Sequence, residues 1–275
     1  MTEGVAEIGF GQSGGRTRLT HLYQRDPLRV LFPIPAAGDP VLAVIVTTSG
    51  GLVAGDRLEI SVRVGADAAA HVTASAAEKI YRSTGRTTII RQTLSLGAGA
   101  TLEFLPPETI LFDGARLSRE TVVDLEPGGV FLGGDIVVFG RRARGERFTH
   151  GFLHEAWEVW CGGKLVWGDA VHLEEDVSYI IDDPACFDGA TAIATLILSP
   201  SRYDLGGLLE GARAFQSAGQ TLGLRAGVTA INGLVIARWL AMDAAQLHQA
   251  YTRFACWWRS AALGLAPLLP RLWQD

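Results

Sequence analysis

The sequence predicts a mainly β fold, arranged as a helical β-sandwich or as stacked β-layers, with two α-helices near the C-terminus. Three observations predict it: apolar and polar residues alternate in many segments, glycine-rich turns recur at nearly constant spacing, and the periodicity becomes helical after residue 204. With 275 residues, 48% of them hydrophobic and 19% charged, the chain can bury a substantial core. We predict a single domain over residues 1–275, because no low-complexity linker divides the sequence.

Alternating segments follow one another along the first two thirds of the chain. In Arg57–Val64, apolar residues alternate with arginine, glutamate and serine, as in a strand with one face in the core. Glycine turns at Gly65, Gly97, Gly128 and Gly162 lie 32, 31 and 34 residues apart. This weak strand–turn–strand repeat favours stacked β-layers, although an ordinary β-meander would give similar spacing. Further predicted strands are Thr88–Leu96, Ala100–Leu105, Glu120–Leu125, Val130–Phe139 and Lys164–Leu173.

Two later segments have helical periodicity. The first apolar series begins at Leu205 and ends near Gly219, and the second is bounded by a capping Asp243 and by Gly264. Between them, Asn232-Gly233 predicts a hairpin of two strands. We expect the apolar stripe of the second helix either to pack in the chain's own core or to form a surface for a partner. Its residues are Leu247, Tyr251, Phe254 and Trp258.

Composition excludes several classes of function. The net charge of −5 argues against a general nucleic-acid binder, which needs a basic surface to meet phosphate. Three cysteines without a C-x-x-C pair do not form a disulfide framework. The first residues have neither the basic nor the apolar part of a signal peptide, and no apolar run is long enough to span a membrane. We therefore expect a soluble cytoplasmic protein.

Motifs for catalysis and tight metal binding are sparse. No phosphate-binding loop of the G-x-x-x-x-G-K-[ST] type is present, and we find no motif that calls for an enzyme. His150 and His154 are four residues apart and Glu155 is adjacent, which is compatible with a metal pair but more typical of polar strand positions. A glycine-rich turn with Gly50, Gly51 and Gly55 leads into a strand. It is compatible with an anion cradle or, more simply, with a β-turn in which Asp56 bonds the backbone.

This glycine-rich segment, Thr48-Ser49-Gly50-Gly51-Leu52-Val53-Ala54-Gly55-Asp56, resembles the signature of the urease accessory protein UreD family, also called UreH. Other segments match the family in order, and the resemblance spans nearly the whole chain. The departures are Ala54, Phe104 and Pro107, and Asp135 stands where a glutamate is common. The matching residues include Lys79, Tyr81, Arg82, Ser83, Pro106, Gly140, Arg141, Gly145 and Glu146, together with the three glycines of the turn.

The resemblance implies a non-enzymatic maturation factor for urease with a mainly β, sandwich-like fold. Members of the family associate with a UreF-type accessory protein and, through it, with a UreG-type GTPase. The complex docks on apo-urease and helps to deliver nickel. No tightly bound cofactor is implied, and neither nucleic acid nor a membrane is an expected partner.

Transient nickel transfer needs weak oxygen or imidazole ligands, because a thiolate cage would trap the metal. Five acids in the matching segments are therefore candidates for a nickel path: Asp56, Glu59, Glu103, Glu108 and Asp135. The simpler alternatives are that Glu59 and Glu103 face solvent and that Asp56 caps a turn. Two other functions stay open at this point: a β-sandwich or β-helix enzyme acting on carbohydrate with two carboxylates in a cleft, and a plain protein-interaction module.

Overall fold

The computed structural model describes residues 2–199, 205–219 and 221–273. Within these residues the chain forms seventeen strands, three α-helices and two short 3-10 turns. The strands are β1 (Glu3–Ser13), β2 (Arg16–Arg25), β3 (Leu28–Leu31), β4 (Val41–Thr47), β5 (Arg57–Val64), β6 (Ala69–Ala74), β7 (Glu78–Ile80), β8 (Thr88–Leu96), β9 (Thr101–Phe104), β10 (Thr109–Leu111), β11 (Arg116–Leu125), β12 (Val130–Phe139), β13 (His150–Cys161), β14 (Lys164–Asp176), β15 (Ala192–Ser199), β16 (Leu224–Ile231) and β17 (Leu234–Ala241). The helices are α1 (Ser178–Asp182), α2 (Leu205–Ala218) and α3 (Ala244–Leu263), and the 3-10 turns are Arg142–Arg144 and Arg271–Trp273.

The strands form two sheets. The order of the seven-stranded sheet is β14-β13-β11-β8-β5-β1-β2. The main path of the ten-stranded sheet is β16-β17-β15-β12-β9-β6-β4-β3, with β7 and β10 joined beside β12. The chain passes from one sheet to the other and back, so that β5, β8, β11 and β13 are parallel neighbours in the first sheet. β6, β9 and β12 are parallel neighbours in the second. The predicted mainly β, stacked arrangement is confirmed.

The repeating glycines lie where the coils turn between the sheets. The backbone N–H of Gly97 donates to the carbonyl of Val64 in the preceding coil (2.9 Å). A Cβ atom at Gly97 would lie only 2.8 Å from the backbone nitrogen of Ala66. Stacking of the turns therefore leaves no room for a side chain there. The fourth turn differs, because Gly162 connects β13 to β14 within one sheet as an antiparallel hairpin.

Two hydrophobic cores flank the ten-stranded sheet. One fills the space between the sheets, and the other lies between the ten-stranded sheet and helices α2 and α3. Each residue of the predicted α3 stripe is at most 1% exposed. The stripe therefore packs in the chain's own core and offers no surface to a partner.

The predicted caps and hairpin of the C-terminal region are confirmed. The side chain of Asp243 accepts a hydrogen bond from the backbone N–H of Ala245, and Gly264 ends α3 in the left-handed conformation. Asn232 and Gly233 form the two-residue turn between β16 and β17, both with positive φ. Among the described helices, none combines the length and apolarity that a membrane span requires.

Candidate functional site

The five candidate acids of the nickel path do not lie together. Asp56 is buried in the β-turn that begins at Val53, where its carboxylate accepts hydrogen bonds from the backbone N–H of Val53 (3.0 Å) and of Thr2 (2.7 Å). Glu59 is exposed on the outer face of β5. The turn is therefore present as expected, and Glu59 faces solvent rather than an interior channel.

Asp135 lies between the two sheets. It is 6% exposed on β12 and accepts hydrogen bonds from the indole N–H of Trp157 (2.9 Å) and from the guanidinium of Arg119 (3.4 Å). Trp157 and Arg119 belong to β13 and β11 of the other sheet. The side chain of Asp135 thus links the sheets through polar contacts inside the core.

Arg119 is the centre of this buried group. Its Nε atom lies 2.8 Å from both carboxylate oxygens of Glu155, and its Nη1 donates to the hydroxyl of Thr109 at 2.7 Å. Arg119 and Glu155 are each 5% exposed. One guanidinium therefore faces two buried carboxyl groups, an arrangement that needs close pairing because burial of an unpaired charge is costly.

Charge balance favours a proton on Glu155. Burial raises the pKa of Glu155 from 4.5 to about 8; the positive charge of Arg119 opposes the increase and the negative charge of Asp135 adds to it. With Glu155 protonated, the two carboxyl groups and Arg119 carry no net charge. Burial also raises the pKa of Glu78, whose carboxylate accepts a hydrogen bond from the hydroxyl of Thr47 at 2.6 Å.

A cavity of about 140 Å³ adjoins this group. Its polar lining includes Glu78, Gln92 and Arg119, and its volume is enough for several water molecules. Gln92 accepts a hydrogen bond from the hydroxyl of Thr121 (2.8 Å). We call the polar side chains around and beside the cavity the interior polar tract: Glu78, Gln92, Thr109, Arg119, Thr121, Asp135 and Glu155.

Glu103 lies on the other side of the ten-stranded sheet, beneath α3. It is fully buried and binds Nδ1 of His71 (3.1 Å) and Nε of Arg259 (2.6 Å), and Arg259 also binds Asp39 (2.9 Å). Burial alone would raise the pKa of Glu103, but the bonds from His71 and Arg259 outweigh burial and lower it. The alternative that Glu103 faces solvent is therefore wrong.

Glu108 is half-buried and lies beside α3 at a third position. Its carboxylate is 3.3 Å from Nδ1 of His248. This contact outweighs the effect of burial and lowers the pKa of Glu108. In the described part of the chain, no three His, Cys, Asp or Glu side chains converge as metal ligands.

Several family-motif residues join the glycine-rich turn to β7. The backbone of Leu52 bonds to Lys79 and Tyr81 (2.8 and 2.9 Å), and the hydroxyl of Tyr81 bonds to the carbonyl of Gly50 (3.2 Å). A Cβ atom at Gly51 would lie 2.5 Å from the ring of Tyr81 and 2.9 Å from the carbonyl oxygen of Lys79. Gly51 therefore allows this close approach, beside the mouth of the cavity that Gly50, Gly51 and Lys79 help to line.

Other motif residues form a polar network near the first 3-10 turn. Arg82 pairs with Asp113 (3.1 Å), and the backbone N–H of Asp113 donates to Glu146 (2.9 Å). Glu146 also binds Arg141, whose guanidinium lies 3.9 Å from the ring centre of Phe112. The remaining motif residues have local positions: Gly55 in the turn before β5, Ser83 bonded to the carbonyl of Arg86, Pro106 on the cavity wall, and Gly140 and Gly145 on either side of the 3-10 turn.

Sequence reasoning missed Arg119 and Glu155, although the alternation contains a signal for both. Arg119 is in phase with Leu117 and Val123 on β11, so it lies on the apolar face of its strand. Glu155 is likewise in phase with the inward residues of β13. A charged residue in phase with an apolar face predicts a buried polar cluster. Glu78, His71 and Arg259 lack such a signal, because each is brought to its partners by tertiary contacts.

Comparison with known proteins agrees with the family resemblance. A family model described as UreD urease accessory protein matches residues 2–274. A urease accessory protein UreD from Magnetococcus marinus is 42% identical over 276 residues, covering 99% of this chain and 94% of the relative. A UreD protein from a Methylobacterium species is 40% identical, with 99% and 95% covered, and a protein named UreD 2 from Methylorubrum populi is 38% identical, with 100% and 91% covered. A match over almost the whole length, with relatives above 30% identity, shows that this chain belongs to the UreD urease accessory protein family.

Proposed function

We propose that this chain is a non-catalytic maturation factor that helps to deliver nickel to apo-urease, acting as scaffold and conduit with a UreF-type protein and a UreG-type GTPase. The family supports the role in urease maturation. The observation that carries the conduit part is the interior polar tract, in which ionisable side chains lie between two sheets beside a cavity. Keeping them there costs stability, so a purpose other than folding is expected.

Within the tract, Asp135 and Glu155 are the proposed carboxylate contacts for a passing nickel ion, with Glu78 near the cavity. Carboxylates hold nickel weakly enough to release it. A cation entering between Asp135 and Glu155 would displace the proton of Glu155, which makes transfer dependent on protonation. Of the acids singled out from sequence, Asp135 is thus the one retained in the route. A metal role for Asp56, Glu59, Glu103 and Glu108 stays a prediction without support from their positions.

Activation of urease in cells tests the role and the route together. Without this chain, co-expressed urease should contain little nickel and show little activity. Asp135→Asn should lower activation at limiting nickel, and excess nickel should restore part of it by mass action. Glu59→Gln is the matched control, because it removes one carboxylate from the solvent face of the same domain, and it should leave activation unchanged.

The yield of soluble complex separates a route from a structural effect. Normal activation by a well-folded Asp135→Asn protein at limiting nickel would show that nickel does not pass through the interior polar tract. The chain would then act as a scaffold only. Loss of activity at every nickel concentration, together with less soluble complex, would indicate a folding defect. Full activation of urease in the absence of the chain would contradict the proposed function itself.

The absence of catalysis can be tested on the purified chain. Hydrolysis of urea, GTP or glycosides should not exceed that of a buffer control. A carbohydrate-active enzyme would need two carboxylates flanking an open cleft, with a fixed separation. Asp135 and Glu155 share Arg119, but they are 6% and 5% exposed and so cannot reach a sugar ring. No observation on the described residues favours this alternative.

A further inference from the structure

The outer face of the β13–β14 hairpin carries two histidines side by side. His154 on β13 lies directly opposite His172 on β14 in the antiparallel register. Their rings are edge to face, with centroids 5.7 Å apart. Both lie on the face opposite to the buried Glu155 and Leu173, and the His172 side chain is 53% exposed. Two imidazoles are thus held together on an edge hairpin, with His172 exposed and His154 half-buried.

This pair differs from the one that the sequence suggested. His150 and His154 are four residues apart on one strand, a separation of about 13 Å, which is too far to share a metal ion. The ring of His150 instead bonds to the hydroxyl of Thr149 (3.0 Å), and its register partner is Asp176. The two histidines that lie close enough to share an ion are therefore His154 and His172 on neighbouring strands, and not His150 and His154 on one strand.

The spacing of His154 and His172 suits a shared metal ion. Two imidazoles that bind one ion at about 2.1 Å through their nitrogens have ring centres about 5 Å apart. The observed 5.7 Å needs only small side-chain rotations to reach that geometry. Imidazole is a preferred ligand of nickel, copper and zinc, whereas magnesium and calcium prefer oxygen. The chemistry of the pair therefore selects a transition-metal ion.

Glu174 places a negative charge beside the histidine pair. It lies two residues from His172 on the same face of β14, with its carboxylate oxygen 3.6 Å from Nε2 of His172. Arg116 is 3.9 Å from Glu174 and lies over the ring of Phe152, so it reduces the local negative charge and weakens the attraction for a cation. A site of this composition is weak and exchangeable, and water completes the coordination.

We propose that His154 and His172 form a weak surface site with two protein ligands for a divalent transition-metal ion such as Ni²⁺, with the negative charge of Glu174 beside it. The site goes beyond the proposed conduit between the sheets, because it lies on the outer face of the seven-stranded sheet. It rests on the geometry of the hairpin and does not depend on the interior polar tract.

Titration of the purified, tag-free chain with NiCl₂ by isothermal calorimetry tests the site. The wild-type chain should bind Ni²⁺ at this site, and His154→Asn and His172→Asn should each weaken that binding by at least about 10-fold, because each leaves a single imidazole. Glu174→Gln should cause a smaller loss. Cu²⁺ as a second probe should give an electron paramagnetic resonance spectrum with two coordinated nitrogens, which each histidine variant reduces to one.

The matched control is His21→Asn. His21 is also an exposed histidine beside a carboxylate, since it bonds Glu7 at 2.9 Å, but no ring contact with a second histidine is found for it among the described residues. This variant should bind Ni²⁺ like the wild type. Circular dichroism should show all four variants folded, because the replaced side chains are on the surface.

Absence of binding by the wild-type chain, or equal binding by the two hairpin histidine variants and the wild type, would overturn the site. Either result would leave the proposed function standing, because urease activation is measured separately. If the variants lose binding yet activate urease normally, the site is real but lies outside the maturation route. Normal activation by the Asp135→Asn protein would contradict the interior route but would not count against the hairpin site.

Discussion

A single guanidinium decides the electrostatics of the interior. Arg119 reaches from β11 to Thr109 and Asp135 of the ten-stranded sheet, and to Glu155 on the neighbouring strand. Because one cation faces two carboxyl groups in a region without bulk water, Glu155 keeps a proton that it would lose in solution. That proton makes the stability of the fold sensitive to pH.

Stability should therefore fall as the pH rises through the range set by Glu155. Its pKa is about 8 in the folded chain against 4.5 as the ordinary value. The folded state holds the proton that the unfolded state has lost, so the contribution is complete below about pH 4.5 and is lost as the pH approaches 8. Glu155→Gln, which imitates the protonated form, should gain at least about 1 kcal/mol relative to the wild type between pH 5.5 and 8.5.

Thermal unfolding of Glu155→Gln and the wild type at about pH 5.5 and about pH 8.5 measures this difference in stability. A relative gain of that size corresponds to a shift in Tm of about 2–4 °C. Glu59→Gln removes a carboxylate at an exposed position and should follow the pH profile of the wild type. An identical profile for Glu155→Gln and the wild type would mean that Glu155 is ionised throughout the range and that the buried group carries a net negative charge.

At the scale of elements, the sequence predicted those features that depend only on residues close together in the chain. Strand periodicity, the recurring turn glycines, the α3 caps and the Asn232-Gly233 hairpin all depend on neighbouring residues, and all of them are present. Helix α1 and the short strands β7 and β10 were not predicted, because too few residues carry a periodicity there. The placement of α3 was also unpredictable, since Arg259 meets Glu103 and Asp39 from distant parts of the chain.

Arg259 should be a principal anchor of α3. Its guanidinium is almost fully buried and holds Glu103, Asp39 and the carbonyls of Ala266 and Leu268. Arg259→Met keeps most of the volume but leaves Glu103 with only His71 as a side-chain hydrogen-bond partner. Loss of one member of a buried ion pair costs about 3–5 kcal/mol, so urea unfolding should show a decrease of that size.

Arg253→Met is the control for this helix. Arg253 is an exposed arginine on α3, six residues earlier, and its replacement should change stability by less than about 0.5 kcal/mol. If Arg259→Met were no less stable than Arg253→Met, the buried network would not anchor the helix. Helix packing would then depend on the apolar stripe alone.

At the scale of the whole molecule, the exposed apolar surface is uneven. A groove between the segment after β3 and the C-terminal segment is lined by Leu31, Ile34, Leu268 and Leu272, which are 55%, 96%, 60% and 42% exposed. Large exposed apolar side chains gathered at one groove are typical of an interaction surface. The sequence indicated a need for a partner surface but not its place, because the two segments are more than 200 residues apart. Division into a single domain stays a prediction.

We predict that this groove is the surface through which the chain binds the UreF-type partner of the proposed function. Ile34→Asp places a charge on the most exposed of these four apolar side chains and should weaken binding by about 5-fold to 30-fold, as expected for an interface anchor worth about 1–2 kcal/mol. Leu222→Asp is the matched control, because Leu222 is 98% exposed against 96% for Ile34 but does not line the groove. Both variants should keep the unfolding temperature of the wild type, since neither side chain contributes to the core. Co-purification with the partner should then separate the variants, with Ile34→Asp losing it and Leu222→Asp retaining it. Equal retention by both would place the partner elsewhere on the molecule, and equal loss would show that any added charge, rather than the groove, disrupts the complex.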